Sequence, residues 1–175
     1  QARAPNQLCA GQHPTAMTFE PRGDRTIIAT RTFHSTTSAA LFAALTTPTL
    51  LQRWLLGPPG WEMPVCEVDL CVGGRYRYGW ACTDDDRTMA VGGAFVEVLE
   101  PHGFTATERF EGETLITYAL ADTPSGTVMT LVLRYPSQPL RDAVAASGME
   151  RGLAASFDRL ARLLLRDDVC ATLEP

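Results

Sequence analysis

The chain has 175 residues, of which 45% are hydrophobic and 20% are charged, and its formal net charge is −5. This length is enough for one domain with a core of its own. The acidic balance argues against a surface that binds nucleic-acid phosphates, so we expect no nucleic-acid partner.

The five cysteines do not form a recognisable ligand or disulfide pattern. Their number is odd and their spacings are irregular (Cys9, Cys66, Cys71, Cys82 and Cys170). We interpret them as small apolar side chains in a reducing compartment, which favours the cytoplasm. We expect no metal and no cofactor. No apolar run approaches the roughly 20 residues that a membrane-spanning helix needs, and no signal-peptide pattern is visible, so we expect no membrane insertion.

Residues 1–24 differ from the rest of the chain, because they contain three prolines and no sustained periodicity. We predict a flexible N-terminal arm or extension there, a single domain over residues 25–168, and a C-terminal tail over residues 169–175. Met17 is a plausible natural start, which would make residues 1–16 an upstream extension.

The domain is predicted to begin with a strand and two short helices. Residues 26–33 are rich in β-branched side chains, which predicts the strand. Ser and Thr side chains at 35–38 can cap a helix over residues 39–45. Thr47 and Pro48 are typical of the start of a second helix, which we expect to reach Trp54.

The stretch from Val68 to Trp80 predicts two strands that meet at Gly73-Gly74. Apolar and polar residues alternate before and after the glycines, so each strand has one apolar face. Three large aromatics then share a face: Tyr76, Tyr78 and Trp80. We expect strands over 65–72 and 75–82, followed by strands over 88–99, 104–110, 114–121 and 127–135. The short connections between them imply an antiparallel meander.

The period then changes to that of helices. Ser137 can cap a helix through Ala146, and a longer helix is predicted from Gly148 to about Arg166. Gly152 in mid-helix would either let a backbone approach or leave space beside it. A sheet crossed by one long helix leaves a natural cavity between the two.

Several motifs follow one another along the domain, in residues 47–54, 57–61, 66–76, 93–98, 107–110 and 147–160. In this order they resemble the Bet v 1/START-like (SRPBCC) superfamily, and more closely its bacterial branch related to the C-terminal domain of the activator of Hsp90 ATPase. The resemblance implies an α+β helix-grip fold: a curved antiparallel sheet of six or seven strands, two short helices and a long C-terminal helix. It is specific for the fold and weak for function.

Three positions depart from the family pattern. Cys71 stands where Arg is usual, which removes a charge near Asp69. Leu45 and Ala106 stand where larger aromatic residues are common. If the last two face inward, they predict a wider or reshaped cavity.

The expected ligand contacts come from the aromatic strand, its neighbours and the long helix. The set can equally be a packed core, and the two interpretations stay open at this point. The residues that we expect to bind ligand are Trp54, Tyr76, Tyr78, Trp80, Phe95, Glu97, Tyr118, Met149, Leu153 and Phe157.

The candidates for catalysis are weak. Glu97, if it points inward beside Phe95, would be a buried carboxyl suited to acid–base chemistry. Glu108 has a similar strand setting. Asp69 could be buried or could pair with a nearby Arg, and Tyr118 could belong to the lining. The three histidines do not cluster, so neither a catalytic triad nor a metal site is predicted.

We therefore interpret the chain as a binding protein more readily than as an enzyme. The expected ligand is a small, largely apolar molecule, aromatic or polyketide-like, held between the sheet and the C-terminal helix. The alternatives are a helix-grip enzyme, such as a polyketide cyclase, dehydratase or hydrolase, and a protein-interaction domain like the co-chaperone. A homodimer is left open.

Overall fold

The computed structural model describes residues 16–109 and 112–165. They form eight strands and four helices. The strands are β1 (Thr18–Arg22), β2 (Thr26–His34), β3 (Trp61–Val68), β4 (Arg75–Cys82), β5 (Thr88–Leu99), β6 (Gly103–Arg109), β7 (Glu113–Thr123) and β8 (Gly126–Arg134). The helices are α1 (Ser38–Thr46), α2 (Pro48–Trp54), α3 (Gln138–Ala146) and α4 (Met149–Leu165).

All eight strands belong to one antiparallel sheet in the order β1-β2-β8-β7-β6-β5-β4-β3. The meander from β3 to β8 returns to β2, so α1 and α2 carry the chain from one part of the sheet to its far edge. This arrangement confirms the predicted α+β fold with a long C-terminal helix.

The strand count is higher than the expected six or seven because β1 lies in the segment predicted as a flexible arm. Thr18–Arg22 pairs with β2 at the edge of the sheet. Pro21 has no backbone N–H, but it is tolerated there because half of the N–H groups of an edge strand face away from the sheet. Residues 1–15 and the predicted tail over residues 169–175 lie outside the described residues.

The double glycine connects β3 and β4 through a tight turn, and β3 ends at Val68 rather than at Val72 as predicted. The Asp69 N–H donates to the Arg75 carbonyl at 2.8 Å, which closes the turn. Gly73 has φ +83°, and a Cβ on Gly74 would lie 2.1 Å from the Asp69 carbonyl oxygen. Only glycine fits both positions without strain.

The helix starts agree with the predicted caps. The Thr37 side chain accepts from the Ala40 N–H, and the Ser137 side chain accepts from the Leu140 N–H. Pro48 occupies the first turn of α2, where a missing N–H is harmless. These caps fix where α1 and α3 begin, and α3 leads directly into α4.

The C-terminal half of α4 closes a continuous core with α1, α2 and the sheet. Phe157 is fully buried and stacks on Trp54, with ring centroids 5.3 Å apart. The Trp54 indole N–H donates to the Ala44 carbonyl at 2.9 Å. The Arg159 guanidinium donates to the Trp54 carbonyl at 3.2 Å, which fixes α4 against the end of α2.

Substitution of Gly152 by Ala is expected to stabilise the protein by about 0.5–1 kcal/mol, because α4 would lose a residue with poor helix propensity. Gly152 is exposed, and a Cβ there would meet no atom within 4 Å. Urea unfolding measures the change. The control is Gly93→Ala, where the Cβ would lie 1.7 Å from the Thr107 carbonyl oxygen and must destabilise. A Gly152→Ala variant less stable than the wild type would contradict this account.

Candidate functional site

An aromatic ladder on β4 forms one wall of the site. Tyr76, Tyr78 and Trp80 follow one another on the concave face, with ring centroids 5.0 and 6.2 Å apart. The Tyr76 hydroxyl donates to the Thr107 carbonyl at 2.9 Å, and the Trp80 indole N–H donates to the Leu55 carbonyl at 2.7 Å. The spacing of two residues places the three rings on one face of β4, and the two hydrogen bonds hold the Tyr76 and Trp80 side chains in place.

A cavity of about 510 Å³, here called the outer chamber, lies between the sheet and helices α3 and α4. Its floor comes from strands β4 to β8, its roof from the two helices, and its side from the segment after α2. It is lined by Leu55, Tyr78, Trp80, Val91, Glu108, Thr114, Ile116, Tyr118, Leu131, Leu133, Tyr135, Leu140, Ala143, Val144, Ser147, Met149 and Leu153.

A second cavity of about 60 Å³, here called the inner chamber, extends the site toward α1 and α2. It is lined by Leu45, Leu51, Trp54, Leu55, Tyr76, Tyr78, Phe95, Phe104, Ala106, Glu108, Ile116 and Tyr118. Five residues border both chambers, so the two adjoin: Leu55, Tyr78, Glu108, Ile116 and Tyr118. Their combined lining is mainly aliphatic and aromatic, which suits an apolar molecule.

Glu108 supplies the carboxyl group of this lining, and it lies where the two chambers meet. On β6 the side chains of Phe104, Ala106 and Glu108 follow at intervals of two and face the concave side. Among the described residues, the Glu108 carboxyl has neither a hydrogen bond nor an ion pair. Burial raises its pKa above the usual value for Glu.

All four tyrosines of the chain border the chambers around Glu108. Burial raises the pKa of Tyr135 to about 12, with the nearby Glu108 charge adding to the shift. The pKa values of Tyr76, Tyr78 and Tyr118 are also raised, mainly by burial. These hydroxyls therefore stay protonated at neutral pH. The Tyr76 hydroxyl already donates to the Thr107 carbonyl, and the other three can donate hydrogen bonds to a ligand.

The family model described as "Activator of Hsp90 ATPase homolog 1-like protein" matches residues 35–165, which is three quarters of the chain. The chain belongs to this Hsp90-activator-like family. The resemblance carried by the sequence motifs is thus confirmed, and the matched segment includes every residue that lines the two chambers.

Solved structures of bacterial proteins share the family's fold. A crystal structure from Rhodobacter sphaeroides is 30% identical over 90% of this chain and 99% of the other, with a TM-score of 0.77. A crystal structure from Nitrosomonas europaea is 20% identical and covers 85% of this chain and 99% of its own, with a TM-score of 0.75. An NMR structure from Aeromonas hydrophila is described as that of a protein like the Hsp90 activator. It is 19% identical and covers 82% of this chain and 94% of its own, with a TM-score of 0.67. No curated protein matches the chain.

Eight of the ten residues expected to bind ligand border a chamber in this member of the family. Tyr76, Trp54 and Phe95 line the inner chamber, Tyr78 and Tyr118 line both, and the outer chamber takes the rest: Trp80, Met149 and Leu153. The chambers also include residues that were not expected to contact ligand, namely Glu108, Tyr135 and apolar side chains of β8 and α3. The sequence did contain a signal for the inward position of Glu108, because Glu108 continues the alternation of Phe104 and Ala106 along β6 and so shares their face.

Glu97 does not face the cavity, and its predicted role is wrong. A β-bulge lies between Phe95 and Glu97, so Phe95 pairs with Ala106 while Glu97 pairs with Thr105. Adjacent residues of β6 point to opposite faces, and the bulge therefore turns Glu97 outward, where it is exposed.

Asp69 and Phe157 also lie away from the chambers. Asp69 is exposed in the turn after β3, where the Cys71 Sγ lies 3.5 Å from its Oδ1. That contact raises the pKa of the Cys71 thiol. Position 71 therefore lies in the turn and does not border either chamber. Phe157 is fully buried behind Trp54 in the core.

The other two departures from the family pattern do lie in the wall. Leu45 and Ala106 are both buried, and both line the inner chamber. Both side chains therefore face inward, as the prediction of a reshaped cavity requires. They line it together with Phe95 and Phe104, and a cavity wider than is usual in the family stays a prediction.

Within the described part of the chain, no three His, Cys, Asp or Glu side chains are grouped as a metal site would require. The same residues contain no helix long and apolar enough to cross a membrane.

Substitution of Glu108 by Gln is expected to stabilise the protein at neutral pH by about 1 kcal/mol, because it removes a buried charge that lacks a partner. The raised pKa sets the sign: folded Glu108 holds its proton more tightly than unfolded Glu108, so ionisation lowers stability as pH rises above about 4.3. The groups facing Glu108 are Tyr76, Tyr78, Tyr118 and Tyr135, which stay neutral in this range.

Chemical unfolding of both proteins between pH 4 and pH 8 checks this prediction. The stability difference must grow as pH rises and then level off above the pKa of Glu108. A difference that is constant or that shrinks with pH would show that the carboxyl is not buried in its charged form.

Proposed function

We propose that the protein binds one small, largely apolar molecule in the outer chamber, between the sheet and helices α3 and α4. The observation that carries this proposal is the chamber itself. At about 510 Å³ it falls within the range of roughly 300–1,000 Å³ typical of ligand sites. A packed core would hold no space of this size.

The lining supports an aromatic or polyketide-like skeleton. Trp80, Tyr78 and Tyr118 offer ring faces for stacking, and the aliphatic side chains of α3, α4 and β8 surround the rest. Among the described residues, the hydroxyls of Tyr78, Tyr118 and Tyr135 make no hydrogen bond with a protein atom. They are available to orient polar groups of a ligand.

A second candidate function is acid–base catalysis on the bound molecule. It is favoured by Glu108 and Tyr118, which border the same open volume. Of the carboxyls and the tyrosine considered for catalysis from the sequence, Glu108 and Tyr118 stay in this proposal, and Glu97 and Asp69 do not. Incubation of the protein with any ligand that co-purifies, followed by mass analysis, separates the two functions: a carrier returns the ligand unchanged, and an enzyme alters its mass.

The neutral probe N-phenyl-1-naphthylamine, whose fluorescence increases in apolar surroundings, tests binding. We expect saturable binding at one probe per chain, with quenching of tryptophan emission because Trp54 and Trp80 border the chambers. At 100 times its Kd the probe should add about 2.7 kcal/mol to the free energy of unfolding. Absence of saturable binding and of any thermal shift would refute the proposal. Cytoplasmic location and a homodimer stay predictions.

A further inference from the structure

From the charge pattern of the two chambers, we infer that the natural ligand is a hydrophobic amine: an apolar skeleton with one protonated nitrogen that contacts Glu108. This inference rests on the proposed function, and it assigns the chemical class of the ligand.

The lining of the two chambers carries a negative charge. Glu108 borders both chambers, and no Arg or His is among the residues that line either of them. Within residues 16–109 and 112–165 its carboxyl has no ionic or hydrogen-bonding partner. An unpaired carboxylate in an apolar wall is costly unless a cation or several donors reach it. A protonated amine supplies both the charge and the donors.

Aromatic side chains border the same chambers as Glu108. Tyr76 and Tyr78 of β4, Tyr118 of β7 and Tyr135 after β8 all lie near enough to Glu108 for its charge to act on them. Trp80 borders the same chamber. Ring faces attract cations, and the attraction is greatest where water is excluded. The Glu108 carboxylate and these aromatic side chains border the same chambers, which suits an ammonium group on an apolar skeleton.

The same pattern disfavours anionic ligands. A fatty acid or other carboxylate would bring a second negative charge next to Glu108, with no lining cation to compensate. Neutral ligands are tolerated but leave the carboxylate without its partner. The site therefore selects by charge as well as by shape, and the order of preference is amine, then alcohol, then acid.

Three probes with one ring system test this order: 1-naphthalenemethylamine, 1-naphthalenemethanol and 1-naphthoate. Isothermal titration calorimetry at neutral pH measures each with the wild type and with Glu108→Gln. We expect the wild type to bind the amine about tenfold more tightly than the alcohol, and the acid most weakly, as charge-assisted hydrogen bonds predict. In Glu108→Gln the amine and the alcohol should bind about equally.

The alcohol serves as the internal comparison, because it carries no charge and its affinity should change much less than that of the amine between the two proteins. Unfolding curves of Glu108→Gln show independently whether the variant keeps its fold. Lowering the pH through the pKa of Glu108 should weaken binding of the amine more than that of the alcohol. Equal wild-type affinities for amine and alcohol, or an amine preference that survives in Glu108→Gln, would overturn this inference alone. Binding of none of the three probes would count against the proposed function as well.

Discussion

Replacement of Asp158 by Asn is expected to lower the free energy of unfolding by about 3 kcal/mol, because it leaves the Arg31 charge buried without a counter-ion. Arg31 lies in the middle of β2 and is 1% exposed, and its Nη1 donates to the Asp158 Oδ1 at 2.7 Å. The guanidinium also lies over the Phe33 ring, 5.4 Å from its centroid. The estimate is at the lower end for a broken buried pair, since about half of the Asp158 side chain remains exposed.

The order of the single and double variants makes this prediction specific. Arg31 Nε and Nη2 find no hydrogen-bond partner among the described residues, so removal of the whole guanidinium also removes two unsatisfied groups. Arg31→Met should therefore cost less than Asp158→Asn, and the double variant should regain most of the stability lost in Asp158→Asn.

Glu67→Gln is the matched control for this pair. It makes the same acid-to-amide change in the exposed Glu67–Arg77 bridge, which joins Oε1 and Nη2 at 3.0 Å. Its cost should be much smaller than that of Asp158→Asn, because solvent screens an exposed ion pair. Urea unfolding of the four variants measures all of these values. If Asp158→Asn is no more costly than Glu67→Gln, the buried arginine does not depend on its carboxylate.

The second large effect is expected when the outer chamber is filled. Val144 of α3 borders the chamber and is half-buried, so a Trp at this position would occupy volume that the ligand needs. We expect Val144→Trp to weaken binding of N-phenyl-1-naphthylamine at least about tenfold, which corresponds to 1.4 kcal/mol. A fluorescence titration measures the loss.

Ala146→Trp provides the control for bulk and for helix propensity. Ala146 lies on the same helix, is exposed, and does not border either chamber. Its variant should bind the probe with wild-type affinity. If both variants bind as the wild type does, the probe binds elsewhere on the protein; if both lose binding, the effect comes from damage to α3 rather than from filling of the chamber.

The sequence was informative where local rules decide the outcome. The bounds of β4 and β5 agree with the predicted residues 75–82 and 88–99, because alternation and turn residues mark both strands. The shared face of Tyr76, Tyr78 and Trp80 follows from the same alternation. The starts of α1 and α3 follow from their side-chain caps, and the start of α2 follows from Pro48 in its first turn; these signals are local as well.

The errors arose where tertiary structure overrides the local pattern. The bulge in β5 turns Glu97 outward. Val96 is the extra residue of this bulge, and a valine at that position does not predict a bulge from sequence. The apolar stripe of α4 includes both Leu153 and Phe157, and sequence periodicity cannot tell which of them lies over the chamber and which over Trp54. Glu108 differs from these cases, because the local alternation along β6 is sufficient to predict that its side chain points inward.

Native mass spectrometry of the freshly purified protein, with and without added N-phenyl-1-naphthylamine, tests the ligand-binding claim most directly. The account predicts one small molecule per chain: either a co-purified ligand, or one probe at saturation that Val144→Trp excludes and Ala146→Trp retains. A chain that carries no bound molecule and takes up no probe, or that takes it up equally in both variants, would contradict a functional binding chamber between the sheet and the helices.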